Sequence, residues 1–147
     1  MTETGARKSK KTPRVSVDQI MSRKVVSITA DDTLDIVKEI MDLGSVRHLP
    51  VVRKGKLVGV VSQRDLLRAS LSNVMGLPAD EQNRFLKGVA ISEVMSSPAI
   101  SIAPDAEVKE AARLMAKHKI GCLTVLKGEQ LVGIVTETDV LDYFARS

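Results

Sequence analysis

With 147 residues the chain suits one compact domain, and 44% hydrophobic and 27% charged residues give a globular balance rather than a disordered or fibrous one. Aromatics are confined to Phe85, Tyr143 and Phe144, so the core must be built from aliphatic side chains. A single cysteine excludes an internal disulfide, two histidines argue against a transition-metal site, and a net charge of +4 held mostly in the first fourteen residues argues against a broad polyanion-binding surface.

Residues 1–14 carry Arg7, Lys8, Lys10, Lys11 and Arg14 against one Glu3. Such a basic, apolar-poor stretch cannot bury enough surface to order itself, and it reads as a disordered tail. It has no apolar region of a secretory signal, and no run in the chain approaches the roughly 20 apolar residues of a spanning helix. The expectation is a cytoplasmic protein with no membrane partner. Residues 15–67 then form a first unit. Val25-Val26-Ser27-Ile28 predicts a short strand, and Asp31 is placed for a helix N-cap. Leu34, Val37, Ile40 and Met41 follow at helical spacing. The apolar run His48–Val52, a turn at Lys54-Gly55-Lys56 and a second run Leu57–Val61 predict a hairpin, and another helix opens at Ser62. Residues 68–90 read as a linker: that helix continues through Leu71, Val74 and Met75, breaks at Gly76/Pro78, and is followed by a short helix over 81–89.

Residues 91–147 repeat the first unit. Val17–Leu67 aligns with Ile91–Leu141 at a constant offset of 74 and without a gap. Val26-Ser-Ile-Thr-Ala-Asp31 matches Ile100-Ser-Ile-Ala-Pro-Asp105, and Leu57-Val-Gly-Val-Val matches Leu131-Val-Gly-Ile-Val. Asp105 takes the N-cap place of Asp31. Each unit therefore runs β-α-β-β-α, an α/β (α+β) arrangement. About fifty residues make a marginal core alone, so the two units are expected to pack as one globule about a pseudo-twofold axis.

Ser62-Gln-Arg-Asp65 and Thr136-Glu-Thr-Asp139 both stand where a strand turns into a helix. One reading is a capping box, in which the hydroxyl and the acid three places on satisfy free backbone N–H groups. The other is chemical. A helix N-terminus favours a phosphate, a carboxylate there can accept from two ribose hydroxyls, and Val60 or Ile134 could line an adenine. Gly59 and Gly133 would let the chain come close to such a ligand. Both readings stand on these residues alone.

The repeated unit resembles the CBS domain, named for cystathionine β-synthase. The likeness is carried by Ile20-Met21-Ser22 and Val94-Met95-Ser96, by His48-Leu-Pro-Val-Val52, and by Leu57-Val-Gly-Val-Val-Ser-x-x-Asp65 with its echo ending at Asp139. The resemblance implies a non-enzymatic regulatory module that binds AMP, ADP, ATP or a related adenosyl ligand in clefts between the repeats. It implies Asp65 and Asp139 as ribose ligands. Ser62, Arg64, Thr136 and Thr138 become phosphate contacts, with Val60 and Ile134 against adenine. The cleft ending at Asp139 should borrow Arg47 from the other repeat as its phosphate partner, and His48 beside it reads either as a ligand contact or as a polar residue at a strand start. The cleft ending at Asp65 should use its own Arg64, with Ile120 and Gly121 near the base. Met21, Ser22, Arg23, Met95, Ser96 and Pro98 are further adenine contacts. No cofactor is required beyond the regulatory nucleotide, AMP being favoured by the few cations in each cleft. S-adenosylmethionine and a cyclic dinucleotide stay open as ligands. A homodimer is expected, with room for a protein partner. The resemblance reaches both ends of the ordered chain, so no fused catalytic domain is expected. Two other readings remain: a constitutive interaction protein with vestigial clefts, and nucleic-acid binding through the tail. His118 suits a helix end, and Cys122 reads as a small core residue.

Overall fold

A computed structural model describes residues 14–44, 46–73 and 76–147. The basic residues 1–13, together with Val74 and Met75 of the linker, lie outside the described residues. Arg14 begins the described chain, and its Nη1 stands 3.1 Å from Glu107 Oε2.

A first 3-10 turn, Val17–Gln19, leads into β1 (Ile28–Thr29), α1 (Leu34–Leu43), β2 (His48–Arg53), β3 (Lys56–Ser62) and α2 (Gln63–Asn73). After the linker helix α3 (Ala79–Leu86), a second 3-10 turn, Ile91–Glu93, leads into β4 (Ser101–Ile102), α4 (Val108–His118), β5 (Cys122–Lys127), β6 (Gln130–Thr136) and α5 (Glu137–Arg146). Each repeat holds a three-stranded sheet with the hairpin partner antiparallel and the first strand parallel. The mixed α+β class and the β-α-β-β-α order follow the sequence expectation. The first hairpin turns on Lys54 and Gly55, both at positive φ (54° and 78°), as a two-residue turn between twisted strands requires. Pro50 stands where Thr124 of repeat 2 donates its N–H to the Ile100 carbonyl (3.3 Å), and without that donor the parallel pairing of β1 starts one residue later, at Val51.

The two cores are built by exchange. Val17 and Met21, which open repeat 1 in the chain, are buried in the core of repeat 2 with Ile102, Val108, Leu123 and Val135. Ile91, which opens repeat 2, and Leu86 of the linker before it are buried in the core of repeat 1 with Leu34, Leu49, Val51 and Val61. Backbone bonds lock each lead-in segment onto the opposite repeat. Ser22 and Ile134 exchange bonds of 2.9 and 3.0 Å, and Ser96 and Val60 exchange bonds of 2.8 and 3.0 Å. The interdependence expected from the size of the repeats thus follows from the chain path: neither repeat completes its core from its own residues, each taking in the segment that opens the other.

The exchange also corrects the expected helix starts. Asp31 and Asp105 are not N-caps; the helices begin at Leu34 and Val108 after Thr33 and Glu107, neither of which makes a side-chain capping bond. The first free N–H of each helix is met by the opposite repeat's lead-in segment, Leu34 donating to the Val89 carbonyl and Val108 to that of Val15, both at 3.0 Å. A tertiary backbone acceptor replaces the side-chain cap that sequence pattern suggested.

Gly59 and Gly133 gain a purpose from the same contact. A Cβ on Gly133 would stand 2.5 Å from Met21 Sδ and 2.9 Å from the Ser22 carbonyl, and one on Gly59 would stand 2.6 Å from the Ser96 carbonyl. The close approach they permit is that of the exchanged segment, not of a ligand. Met21 can swing aside, but the Ser22 carbonyl is held in its ladder pair. Gly133→Ala should therefore cost about 1–3 kcal/mol by overpacking, seen in thermal unfolding as a fall of about 2–4 °C per kcal/mol. An unchanged midpoint would mean that the lead-in segment is loosely held.

In the linker, Leu86 is buried and Phe85 and Val89 pack beside it on the first core. Leu67 on α2 and its equivalent Leu141 on α5 remain 53% and 67% exposed, with Leu71 and Phe144 exposed near them. None of the described helices is long and apolar enough to cross a membrane.

Candidate functional site

Strands β3 and β6 end at Ser62 and Thr136, and the chain turns directly into α2 and α5. At the second corner Thr136 N–H donates to Asp139 Oδ2 (2.8 Å) and Asp139 N–H donates to Thr136 Oγ1 (3.3 Å). At the first, Ser62 N–H and Oγ both donate to Asp65 Oδ2 (2.8 and 2.9 Å), while Asp65 N–H donates to Ser62 Oγ (3.1 Å). The capping box is therefore present at both corners, which it stabilises by about 1 kcal/mol each. It uses only one carboxylate oxygen.

The second oxygen separates the corners. Asp65 Oδ1 faces Arg68 Nη1 at 3.8 Å. The residue at the place of Arg68 in repeat 2 is Asp142, an acid, and among the described residues Asp139 Oδ1 has no hydrogen bond or ion pair. Asp139 is part-buried. A part-buried carboxylate with one open oxygen can accept from hydroxyls of a bound molecule without giving up its cap.

A cleft of about 520 Å³ opens beside Asp139, within the range of about 300–1,000 Å³ common to small-molecule sites. Its walls come from both repeats. Repeat 2 supplies Gly121, Ile134, Thr136, Glu137, Thr138 and Asp139; the other side holds Ser22, Lys24, Val25, Val26, Val46, Arg47, His48 and Pro50. Arg47 and His48 thus face the Asp139 corner. The exchange explains Ser22: its ladder pair with Ile134 carries the lead-in segment, and with it Lys24 to Val26, along the cleft.

Of the other residues singled out from sequence, Val60 is paired to Ser96, and Arg64 is exposed beside Asp65. Ile120 packs against the second core. Gly121, expected in the cleft ending at Asp65, lines the Asp139 cleft. Met21 and Met95 turn into the cores, against Gly133 and Gly59. Arg23 is turned back, donating to the Asp18 carbonyl at 3.1 Å, and Pro98 is exposed. Lys24, Val25, Val26, Val46, Pro50 and Glu137 were not singled out. The apolar run Val25-Val26 was read as strand, but β1 starts only at Ile28, which frees those two side chains for the cleft wall.

Burial is the largest influence on His48 and holds its imidazole pKa below the ordinary 6.5; Glu137 and Asp65 oppose this, while Arg47 and Arg64 add to it. Cys122 is buried, and burial pushes its thiol up to about 12, which leaves it unreactive at neutral pH. His118 ends α4. Among the described residues no three His, Cys, Asp or Glu side chains converge as a metal site would require.

Comparison with known proteins places these features in company. The profile described as CBS domain matches residues 17–72 and 91–146. A CBS domain-containing protein of Dictyostelium discoideum is 36% identical over 133 residues, covering 88% of this chain and 90% of its own. An uncharacterized protein of Methanocaldococcus jannaschii is 31% identical over 144 residues, of which this chain spans 34% of the relative's length. Among solved structures, the CBS domain of a CBS domain containing membrane protein from Sphaerobacter thermophilus is 31% identical with a TM-score of 0.72, covering 88% of this chain and 87% of that one. The CBS domain pair of protein MJ0100, in complex with 5-methylthioadenosine and S-adenosyl-L-methionine, is 25% identical with a TM-score of 0.77, covering 91% and 98%.

Proposed function

The chain belongs to the CBS domain family, and from that premise we propose that it is a non-enzymatic sensor holding an adenine nucleotide in the cleft at Asp139. The observation that carries this is the open Oδ1 of Asp139 in a two-repeat cleft of about 520 Å³ with Arg47 on the facing wall. In this reading Asp139 accepts from the ribose hydroxyls and Ile134, Val25 and Val26 flank the base. Thr136, Thr138, Arg47 and Lys24 meet the phosphate. The adenosyl ligands of protein MJ0100 support the ligand class.

AMP is favoured over ATP. Among the residues lining the cleft, Lys24 and Arg47 are the permanent cations and Glu137 and Asp139 oppose them, so there are cationic donors for a single phosphate and none to spare for two more. Each charge-assisted contact contributes about 1.5–3 kcal/mol. The Asp65 corner is the weaker site because Arg68 already faces its second oxygen. Ligand binding across both repeats would favour one relative arrangement of them, which a partner could read. The exposed Leu67, Leu71, Leu141 and Phe144 suit a homodimer contact. A cytoplasmic setting fits a lone buried thiol.

Isothermal titration with AMP, ADP and ATP tests the proposal. The expected result is saturable binding with AMP tightest. Tighter ATP binding would reverse the charge argument. Heat from none of the three, in folded protein, would leave Ser62, Asp65, Thr136 and Asp139 as helix caps only and favour a constitutive interaction role, which the fully formed capping boxes already permit.

A further inference from the structure

His48 sits where the two repeats meet. It opens β2, its partner across the hairpin is Ser62 at the α2 corner, and it lines the cleft at the α5 corner. Its Nε2 lies 3.2 Å from the point where a Cβ on Gly121 would stand, and Glu137 Oε1 lies 2.8 Å from the same point. A ring nitrogen from repeat 1 and a carboxylate oxygen from repeat 2 thus share the space above one bare stretch of backbone. Among the described residues neither side chain makes a hydrogen bond or an ion pair.

The charged groups around the ring are Glu137 on α5, Asp65 and Arg64 on α2, and Arg47 on its own strand. Burial, together with Arg47 and Arg64, outweighs the two carboxylates, so the empty cleft favours the neutral ring. A phosphate against Arg47 would bring a further negative charge into the same wall. Charge added at hydrogen-bonding range in a part-buried place favours the imidazolium, and the entering proton makes His48 a second cationic donor to the phosphate.

Resting on the reading that this cleft takes an adenosyl ligand, we propose that His48 is a proton-linked specificity residue, whose imidazole takes one proton from solvent when a ligand's phosphate seats beside Arg47 and takes none when the ligand lacks a phosphate. The sign follows. In the pH window between the midpoint of the free ring and that of the liganded ring, binding takes up a proton. Affinity for AMP therefore rises as pH falls through that window, and affinity for adenosine does not.

The phosphate of AMP itself titrates near pH ~6, so the imidazole is the group to watch. The full chain has only two histidines, and His118, exposed at the end of α4, is an internal reference. Carbon-13 imidazole spectra are followed from acid to neutral pH for the free protein, with saturating AMP, and with saturating adenosine. His48→Asn assigns the resonance. The expected result is a free His48 midpoint below the ordinary 6.5, raised by about one unit or more with AMP, equivalent to tenfold in linked affinity, and unmoved with adenosine. An AMP-saturated protein whose His48 midpoint stays put overturns the proposal and leaves the cleft reading intact. An equal rise with adenosine also overturns it, because the phosphate is then not the cause. If neither ligand moves any amide near Asp139 in the same samples, the cleft reading fails and takes this proposal with it.

Discussion

Replacing Asp139 by alanine is expected to weaken AMP binding by at least about a hundredfold, the loss of two charge-assisted bonds to ribose hydroxyls at about 1.5–3 kcal/mol each. The same carboxylate caps α5 through Oδ2, so Asp139→Ala should also lower stability by about 1 kcal/mol. The two roles separate in Asp139→Asn. The amide oxygen can still accept from Thr136 N–H, so the fold should hold, while the charged acceptor is gone and binding should remain poor. Asp65→Ala is the informative contrast. Its cap is at least as complete, with both Ser62 N–H and Oγ donating to it, but its second oxygen already faces Arg68. It should therefore show a similar stability loss and a much smaller effect on AMP. Calorimetric titration and thermal unfolding of the three variants check this. Equal loss of binding in Asp65→Ala and Asp139→Ala would mean that the ligand occupies both corners alike.

How much of this was legible in the sequence depends on whether the information is local. The constant offset of 74 between Val17–Leu67 and Ile91–Leu141 made the duplication and the β-α-β-β-α order readable, because strand runs, hairpin turns and helical periodicity are properties of contiguous residues. The Ser62/Asp65 and Thr136/Asp139 corners were readable for the same reason. What was hidden is where the lead-in segments go. Val17 and Ile91 look like the natural first residues of the repeats that follow them, and nothing in their composition says that each belongs to the other core. From that followed the misplaced caps at Asp31 and Asp105, since the acceptor for the first helical N–H comes from a segment distant in the chain. It also followed that Gly59 and Gly133 would be credited to a ligand. Lys24 and Glu137 were overlooked because a lone charge carries no pattern; only the fold brings them to the wall that holds Arg47 and His48.

The exchange itself should give the largest stability effect in the molecule. Ile91 is fully buried, and Ile91→Ala is expected to cost about 2–5 kcal/mol through lost transfer energy and the cavity left behind. The magnitude alone does not say which core was damaged, because repeats that share segments are expected to unfold together. Coupling does. Ile91 N–H donates to the Asp32 carbonyl at 2.8 Å and its side chain joins Leu34 in the core of repeat 1, whereas Val108 belongs to the other core. Urea unfolding of Ile91→Ala, Leu34→Val and the double variant should therefore be non-additive by about 0.5–3 kcal/mol, as the cavity made by one change is relaxed into by the other. Ile91→Ala with Val108→Ala should add within about 0.5 kcal/mol. The equivalent cycle with Val17→Ala should show the reverse preference, coupling to Val108→Ala and not to Leu34→Val. Coupling of Ile91 to Val108 instead would place each lead-in segment on its own repeat. It would also remove the ladder between Ser22 and Ile134 that brings Lys24, Val25 and Val26 to the cleft. The two-repeat wall and the core exchange are one feature of the chain path, so this stability measurement bears directly on whether Asp139 has a cleft to serve.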